Sequence, residues 1–310
     1  MSKIAFVFPG QGSQAVGMAK DAYESVPAAA EIFRTADDVL GFSLSNLVFE
    51  GPETELKQTS NTQPALLTAS IALLEAFKEK GIEPDYTAGH SLGEYSALVA
   101  AGVLTFADAV SIVRARGQYM EQAVPGGQGA MAAVLGADRE ALGVLCGDVS
   151  ETGHAVELAN MNCPGQIVIS GVKEGVAAVA ERVKEAGGKR AIPLEVSGPF
   201  HSSLMKEAAG KLAEKLETVT FSPAKVPVVA NVTARPVENG QVQQLLTEQV
   251  YSPVLWEDSV TWLIEQGVDT FVEIGSGSVL TGLIKKTDKS VKLYNVNSLE
   301  TLEATAAALK

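Results

Sequence analysis

The sequence is poor in several residue types, and each shortage narrows what the chain can do. Only 6% of its 310 residues are aromatic, and it has two cysteines and three histidines. The spacing of Cys146, His154 and Cys163 matches no common zinc pattern, and two cysteines without paired spacing fit a reduced, cytoplasmic compartment. The apolar stretch Ala97–Val110 is interrupted by polar residues and is too short to span a bilayer.

Positive charge is also scarce. Lysine and arginine total 24 against 37 acidic residues, which gives a net charge of −13. Nucleic acids and anionic membranes bind clustered cations, so this balance argues against both as partners. The apolar run Ile4–Phe8 stops at Pro9 and is too short for the core of a signal peptide. With 46% hydrophobic and 20% charged residues, the composition is that of a globular protein with a substantial core.

Most of the chain alternates between predicted strands and helices. Ile4–Phe8 is continuously apolar, as in a strand buried on both faces, and Tyr86–His90 predicts a second strand that leads into a helix over Ser91–Ala101. Strand, glycine-containing turn and helix in succession are typical of an α/β fold. Further helices are predicted at Ala19–Val39, Gln63–Lys80, Phe106–Ala123, Ser202–Leu216 and Val260–Gln266, and further strands at Val226–Asn231 and Thr270–Ile274. We expect a large α/β-hydrolase-like domain formed by residues 1–124 and 198–310.

A different pattern occupies residues 125–197, after the helix breaker Val124–Gly129. The predicted strands there are Ala130–Leu135, Val156–Met161, Gln166–Ser170 and Ala191–Val196, and the predicted helices are Ala137–Leu145 and Val172–Glu185. The resulting order, β-α-β-β-α-β, is that of a ferredoxin-like unit. The sequence therefore predicts a small ferredoxin-like domain inserted into the large one.

One pentapeptide suggests nucleophilic catalysis. Gly89-His90-Ser91-Leu92-Gly93 fits G-x-S-x-G, in which the serine lies on a sharp strand-to-helix turn between glycines that allow close backbone approach. The start of the following helix would direct free N–H groups toward the same place. Ser91 is thus a candidate nucleophile, although a serine that only caps a helix gives the same pattern.

A serine nucleophile needs a base, and histidine is the usual one near neutral pH. His90 is next to Ser91 and should point away from the reacting face, and His154 has no catalytic companion nearby in the sequence. His201 follows the rigid segment Ser197–Phe200, where the small domain would rejoin the large one. It is the best candidate for a base in a cleft between the domains, although a single histidine is more often structural.

Several motifs follow one another along nearly the whole chain: Phe8–Gln14, Thr62–Ala65, Gly89–Tyr95, Arg114–Gly117, Gly198–His201, Asn231–Ala234 and Gln249–Val254. Together they resemble the malonyl-CoA:acyl carrier protein transacylases of fatty-acid synthesis, and also the acyltransferase domains of polyketide synthases. Motifs in the family's order are far more specific than any one of them.

The resemblance implies a role for each of six residues. It makes Ser91 the nucleophile and His201 its base, with the backbone N–H groups of Gln11 and Leu92 forming the oxyanion hole, Arg116 binding the free malonyl carboxylate, and a backbone carbonyl near Gln249 orienting His201. The arginine role is physically reasonable, because a guanidinium can grip a carboxylate through two parallel hydrogen bonds. Without the resemblance, a mid-helix arginine would be expected to face solvent.

The resemblance also implies the substrates and partners. We expect a malonyl group to pass from malonyl-CoA to the phosphopantetheine thiol of an acyl carrier protein, with no cofactor, in a monomeric enzyme. Phe200 is similar to the residue found in malonyl-selecting rather than methylmalonyl-selecting relatives. Carrier proteins are typically acidic, so Lys189-Arg190 and Lys285-Lys286 are candidate docking sites, although solvated surface charge is the simpler explanation. The carrier, and whether the pathway makes fatty acids or a polyketide, stay open.

Three other functions are compatible with parts of the sequence. A serine hydrolase or thioesterase of the α/β class shares G-x-S-x-G, but such enzymes place the histidine late in the chain. A nucleotide-binding protein is suggested by Gly10–Ala15, which fits G-x-G-x-x-A, with Asp37 at a suitable distance for a ribose. A catalytically inactive docking protein is the third alternative, and the presence of Ser91, His201 and Arg116 argues against it.

Overall fold

The structure is a computed structural model that describes residues 2–124, 126–238 and 240–310. Its strands are β1 (Lys3–Phe8), β2 (Tyr86–Gly89), β3 (Gly129–Leu135), β4 (Val156–Cys163), β5 (Gln166–Val172), β6 (Arg190–Pro193), β7 (Val228–Val229), β8 (Val268–Ile274) and β9 (Lys292–Val296). Its α-helices are α1 (Lys20–Ser25), α2 (Pro27–Leu40), α3 (Leu44–Glu50), α4 (Glu53–Leu56), α5 (Thr59–Lys78), α6 (Gly93–Ala100), α7 (Phe106–Gln122), α8 (Arg139–Glu151), α9 (Lys173–Arg182), α10 (Lys206–Leu216), α11 (Val242–Gln249), α12 (Trp256–Glu265), α13 (Val279–Thr287) and α14 (Leu299–Leu309).

The larger part of the molecule is built on a parallel sheet of order β7-β2-β1-β8-β9. Strand β1 lies at its centre, and the side chains of Ala5–Phe8 are almost completely buried, as expected for a strand covered on both faces. Helix α5 is buried nearly all round, against α2 and α7. The carboxyl ends of β1 and β2 meet where Phe8 pairs with Gly89, so the loops that follow them converge.

The smaller part is an antiparallel sheet of order β4-β5-β3-β6, which packs against helices α8 and α9. It has a separate apolar core that includes Val134, Leu142, Ile169 and Val179. Strand β4 also pairs with the larger part, because the backbone of Val254 bonds to its residues Ala159 and Met161 at 2.8 and 2.9 Å. These bonds fix the edge of the small sheet beside the parallel one.

Some predicted boundaries differ from the observed ones. The helix expected over Ala19–Val39 is divided between α1 and α2, because Pro27 cannot continue a helix but suits the first turn of the next. The strand expected over Val226–Asn231 is only two residues long, and β6 ends at Pro193. Pro125, within the predicted break after α7, lies outside the described residues, as does Met1. Within the described ranges, no helix is both long and apolar enough to cross a membrane.

Candidate active site

Ser91 lies at a sharp turn between β2 and α6. Its backbone φ is +50°, in the left-handed region that costs a residue with a Cβ about 1–2 kcal/mol. The flanking glycines are sterically required: a Cβ on Gly89 would lie 1.9 Å from the carbonyl oxygen of Gly93, and one on Gly93 would lie 2.1 Å from that of Phe8. The predicted strand, turn and helix are therefore present, and they present the serine at the carboxyl end of the sheet.

His201 lies directly beside this serine. Its Nε2 is 2.8 Å from Ser91 Oγ, and its Nδ1 is 2.8 Å from the backbone oxygen of Gln249. A carbonyl oxygen can only accept, so Nδ1 carries the proton and Nε2 presents a lone pair to the serine hydroxyl. His201 also has a positive φ, +57°, after the Gly198-Pro199 segment. The three residues that the sequence assigned to nucleophile, base and orienting carbonyl are thus in one hydrogen-bonded chain.

The imidazole of His201 is held in its neutral form. It is 3% exposed, and burial, followed by the charge of Arg116, lowers its pKa to about 3. A neutral imidazole is the form that can accept a proton. The local charges and the geometry therefore agree on which group could act as a base.

Arg116 faces inward from α7 rather than outward into solvent. It is 1% exposed, and its guanidinium donates to Gln63 Oε1 at 2.7 Å, to Gln249 Oε1 at 2.9 Å and to Ser91 Oγ at 3.3 Å. Its Nε has no partner among the described residues, and no carboxylate there forms an ion pair with it. Burial lowers its pKa, yet arginine stays protonated in proteins. The site therefore contains a buried positive charge bound only by neutral acceptors.

Gln11 and Leu92, whose backbone amides are predicted to form the oxyanion hole, line the same cavity as Ser91. Among the described residues neither amide donates to a protein acceptor, although both residues line the cavity in front of Ser91. The Gln11 side chain donates to Thr59 Oγ1 at 2.9 Å, and that hydroxyl is 2.7 Å from Ser197 Oγ. The loop that carries the Gln11 amide is thus linked to the start of α5 and, through Thr59, to the segment after β6.

The cavity has a volume of about 650 Å³. Ser91, His201 and Arg116 line it together with Phe200, which is 6% exposed. The remaining lining residues are Gln11, Gly12, Gln14, Lys57, Gln63, His90, Leu92, Met120, Met131, Asn160, Leu194, Glu195, Val196 and Ser197. The loops after β1 and β2, strands β3 and β4 of the antiparallel sheet and the segment after β6 therefore contribute to one site large enough for an extended ligand.

Comparison with known proteins identifies the family. The sequence profile of the acyl transferase domain family matches residues 5–305. The chain belongs to the acyl transferase domain family. It is 58% identical, across 100% of its length and 98% of the relative's, to the malonyl CoA-acyl carrier protein transacylase of Bacillus subtilis (strain 168). It is 50% identical to the one of Staphylococcus aureus (strain MRSA252), over 97% of each chain.

Solved members of the family have the same fold. The malonyl CoA-acyl carrier protein transacylase of Clostridium perfringens superposes with a TM-score of 0.96 at 41% identity, covering 99% of this chain and 97% of that one. A malonyl-transacylase in complex with a type II PKS acyl-carrier protein superposes with a TM-score of 0.96 at 45% identity, covering 99% and 100%. The fold is therefore that of the family: a mixed α/β structure with a parallel and a separate antiparallel sheet.

Sequence reasoning missed a polar network behind the site. Glu94 Oε2 accepts from Gln249 Nε2 at 2.7 Å and from the backbone amide of Asn231 at 3.1 Å. Asn231 in turn accepts from the Ser91 amide at 2.7 Å and donates to the Gly89 oxygen at 2.7 Å, so it holds the turn from behind. Glu94 and Asn231 belong to motifs that carry the family resemblance, but nothing in their spacing indicates that they meet.

The remaining sequence candidates take no part in the contacts among Ser91, His201 and Arg116. His90 bonds to Asn162 Oδ1 at 2.8 Å and packs edge-on against Trp256, as expected if it points away from the serine's reacting face. His154 is exposed, and Cys146 and Cys163 are buried free thiols.

The geometry does not favour the nucleotide-binding alternative. Gly10–Ala15 is followed by turns, and the next helix begins only at Lys20. The loop therefore does not lead directly into a helix N-terminus that could bind a phosphate. Asp37, the residue considered for a ribose, accepts from the backbone amide of Ser45 at 2.9 Å. Its carboxylate is already used at the start of α3.

Proposed function

We propose that this protein transfers a malonyl group from malonyl-CoA to the phosphopantetheine thiol of an acyl carrier protein, through a malonyl ester on Ser91. The observation that carries the proposal is the buried charge of Arg116, which has no ion-pair partner among the described residues and lies within 3.3 Å of the Ser91 hydroxyl, itself bonded to a neutral imidazole. Relatives with this name at 58% and 50% identity support it. So does the related malonyl-transacylase solved with its carrier protein.

The first half-reaction forms the ester. Ser91 Oγ attacks the thioester carbonyl of malonyl-CoA while His201 Nε2 accepts the hydroxyl proton, and the amides of Gln11 and Leu92 stabilise the developing oxyanion. When the tetrahedral intermediate collapses, the carbon–sulfur bond breaks and the proton on Nε2 passes to the sulfur. Free CoA leaves, and a malonyl ester remains on Ser91.

The second half-reaction reverses these steps with a different thiol. The carrier's phosphopantetheine sulfur attacks the ester carbonyl while His201 takes the thiol proton, and that proton returns to Ser91 Oγ as the ester bond breaks. Because the acyl group waits on the enzyme between the two thiols, ping-pong kinetics are expected. The backbone oxygen of Gln249 keeps Nδ1 protonated throughout, so Nε2 is always the atom that exchanges the proton.

Arg116 gives the site its preference for a charged acyl group. A carboxylate beside the thioester would meet a guanidinium already out of water, where a charge-assisted bond contributes about 1.5–3 kcal/mol. The charge of Arg116 is one cause of the low pKa of His201, so a carboxylate bound there would raise that pKa again. The malonyl group would thus strengthen the base that it needs.

Intact-mass measurement tests the proposal. Incubated with malonyl-CoA and no carrier, the protein should gain one malonyl group, and Ser91→Ala should gain none. Adding the phosphopantetheinylated carrier should discharge the ester and load the carrier. A protein that takes up no malonyl group from malonyl-CoA would exclude the mechanism.

The same measurement addresses the hydrolase alternative. A thioesterase would release free CoA continuously without a carrier, whereas a transferase would release about one equivalent and stop. The histidine partner argues for the transferase, because Ser-His-Asp hydrolases place a carboxylate at Nδ1 and this protein has the carbonyl of Gln249 there. Continuous hydrolysis of malonyl-CoA in the absence of a carrier would favour the hydrolase alternative.

A finer description of the architecture belongs to the same proposal. We propose that residues 1–124 and 198–310 form a hydrolase-like α/β domain and that residues 125–197 form an inserted ferredoxin-like domain. The element order β3-α8-β4-β5-α9-β6, the sheet order β4-β5-β3-β6 and the separate apolar core support the inserted domain. Action without a cofactor, a monomeric state and a cytoplasmic location stay predictions.

Carrier docking is proposed at Lys189-Arg190 rather than at Lys285-Lys286. Both pairs are exposed, but β6 begins at Arg190 and continues directly into Leu194–Ser197, which line the cavity. Reversing both charges at 189 and 190 should raise the KM for the carrier and leave the KM for malonyl-CoA unchanged. The same reversal at 285 and 286 is the matched control, and equal effects of the two would remove the assignment.

A further inference from the structure

Glu94 is a buried carboxylate that the proposed reaction does not use. It lies in the first turn of α6, three residues after Ser91, and is 1% exposed. Within the described residues it accepts two hydrogen bonds, from the Gln249 side chain and the Asn231 amide, and both fall on a single oxygen, Oε2. A buried carboxylate is costly unless its hydrogen bonds and nearby charges compensate, so its surroundings indicate what it does.

The first thing that Glu94 determines is the direction of the Gln249 amide. Gln249 Nε2 faces only acceptors: Glu94 Oε2 at 2.7 Å, the Ser91 backbone oxygen at 3.0 Å and Asn231 Oδ1 at 3.2 Å. With the NH₂ group held there, Oε1 must face the opposite way, where it accepts from Arg116 Nη2 at 2.9 Å. The side-chain amide of Gln249 thus links the Glu94 carboxylate to the Arg116 guanidinium.

The second contribution is charge. Among the described residues Arg116 has no direct ion-pair partner, yet its charge acts on Glu94 and favours the ionised carboxylate against the effect of burial. Burial outweighs that effect and raises the pKa of Glu94 to about 7, so the carboxylate is mostly ionised at pH 8. It is then a negative charge behind the guanidinium, on the far side of Gln249, and it opposes the binding of a second anion in front.

We propose that Glu94 is a positioning and specificity-determining residue, whose contact with Gln249 holds the Arg116 guanidinium in place and whose charge limits the preference of the site for anionic acyl groups. The inference rests on the proposed function, because it concerns the acyl group that the site selects. The two contributions can be separated, since both bonds to Glu94 use the same oxygen. Glutamine at this position can keep that oxygen while losing the charge.

The test compares Glu94→Gln and Glu94→Ala with the wild-type protein at pH 8. The rate of Ser91 acylation is measured by intact mass over a range of malonyl-CoA and of acetyl-CoA concentrations. In Glu94→Gln the malonyl-to-acetyl ratio of kcat/KM should rise about threefold to tenfold, because an opposing charge close to Arg116 is gone. Relative to Glu94→Gln, Glu94→Ala should lose about fivefold to tenfold in malonyl kcat/KM, chiefly through KM, because the hydrogen bond to Gln249 that helps to hold the Arg116 guanidinium is lost.

Two further variants make the comparison specific. Glu214→Gln removes an exposed carboxylate on α10 and is the matched control for a change of net charge. Gln249→Ala removes the relaying amide but keeps the backbone oxygen that bonds to His201. In that background, the difference between Glu94→Gln and Glu94→Ala in malonyl kcat/KM should become smaller, because the link through Gln249 is missing and only the Asn231 amide still bonds to residue 94.

Each outcome tests one part of the proposal for Glu94. A malonyl-to-acetyl ratio that does not rise in Glu94→Gln removes the charge role, and equal losses of malonyl and acetyl transfer in Glu94→Ala reduce Glu94 to a structural residue. If Glu94→Ala does not fold, Glu94→Gln still decides the charge role, and Glu94→Asp, which keeps the carboxylate but shortens its reach, replaces it for positioning. A wild-type protein that accepts no malonyl group at all would instead refute the proposed function.

Discussion

Two glutamates are buried near the carboxyl ends of the parallel strands, and they are used differently. Glu94 is 1% exposed beside the acyl site, and Glu273, near the end of β8, is 0% exposed at the start of α13. Burial raises the pKa of both. Glu273 uses both oxygens: Oε1 accepts from the Leu280 amide at 3.0 Å and Oε2 from the Thr281 amide at 2.8 Å.

The difference lies in what the hydrogen bonds reach. Those of Glu273 end on the backbone of α13 and on neighbouring side chains, as in a helix cap. Those of Glu94 lead through Gln249 to Arg116 and stop beside the Ser91 hydroxyl. Burial and a raised pKa are therefore shared by a structural carboxylate and a carboxylate of the acyl site. Only their hydrogen-bond partners distinguish the two. Substitution of Glu273 should therefore change the stability of the protein, and substitution of Glu94 should change its rate or acyl selectivity.

The largest expected effect is on rate alone. His201→Ala should lower the rate of Ser91 acylation about 10²- to 10⁴-fold, the usual contribution of a general base. Stopped-flow or quenched intact-mass kinetics measure the rate, and the thermal midpoint should stay close to that of the wild-type protein. Acylation that persists within a few-fold of wild type would mean that the 2.8 Å contact with Ser91 is not used in the reaction.

A smaller effect is expected at Arg116, and it should depend on the acyl group that is transferred. Arg116→Ala should reduce malonyl kcat/KM about 10- to 100-fold, the equivalent of a charge-assisted bond, and change acetyl transfer much less. Arg34→Ala, on the exposed face of α2, is the matched control. Equal losses with the two acyl groups would show that Arg116 supports the fold of the site rather than the carboxylate of the substrate.

The two glutamates can then be compared directly by the same substitution. Glu273→Gln should cost about 1–3 kcal/mol of unfolding free energy, because one amide oxygen cannot replace two carboxylate oxygens that each accept a backbone N–H. Glu94→Gln should cost less, because a single oxygen receives both of its bonds. Denaturant unfolding of both variants measures this, and acyl selectivity should change only in Glu94→Gln. The reverse ranking of stability would contradict the division into cap and acyl-site carboxylate.

The sequence predicted the parts of this arrangement that local patterns encode. The strand, tight turn and helix around Ser91 follow from apolar runs and glycines, and the resemblance supplied His201, Arg116 and Gln249. The meeting of Glu94, Gln249 and Asn231 could not be predicted, because these residues lie on α6, at the end of α11 and after β7, and only the tertiary fold brings them together. A strand is predicted over Val226–Asn231, but the short extent of β7, Val228–Val229, could not be predicted, since two paired residues leave almost no periodic signal.

The smallest expected effect is an absence of pH dependence. An exposed imidazole gains its proton near pH 6.5, but burial lowers the pKa of His201 to about 3, so its Nε2 lone pair should stay available throughout pH 5 to 8. The acylation rate should therefore show no fall with a midpoint near 6.5 when the pH is lowered. Glu94, with a pKa of about 7, is a buried carboxylate of the acyl site that titrates in this range. Measuring the profile in Glu94→Gln as well separates them: an inflection that disappears belongs to Glu94, whereas one near 6.5 that remains would mean that His201 is far more solvated than its burial indicates.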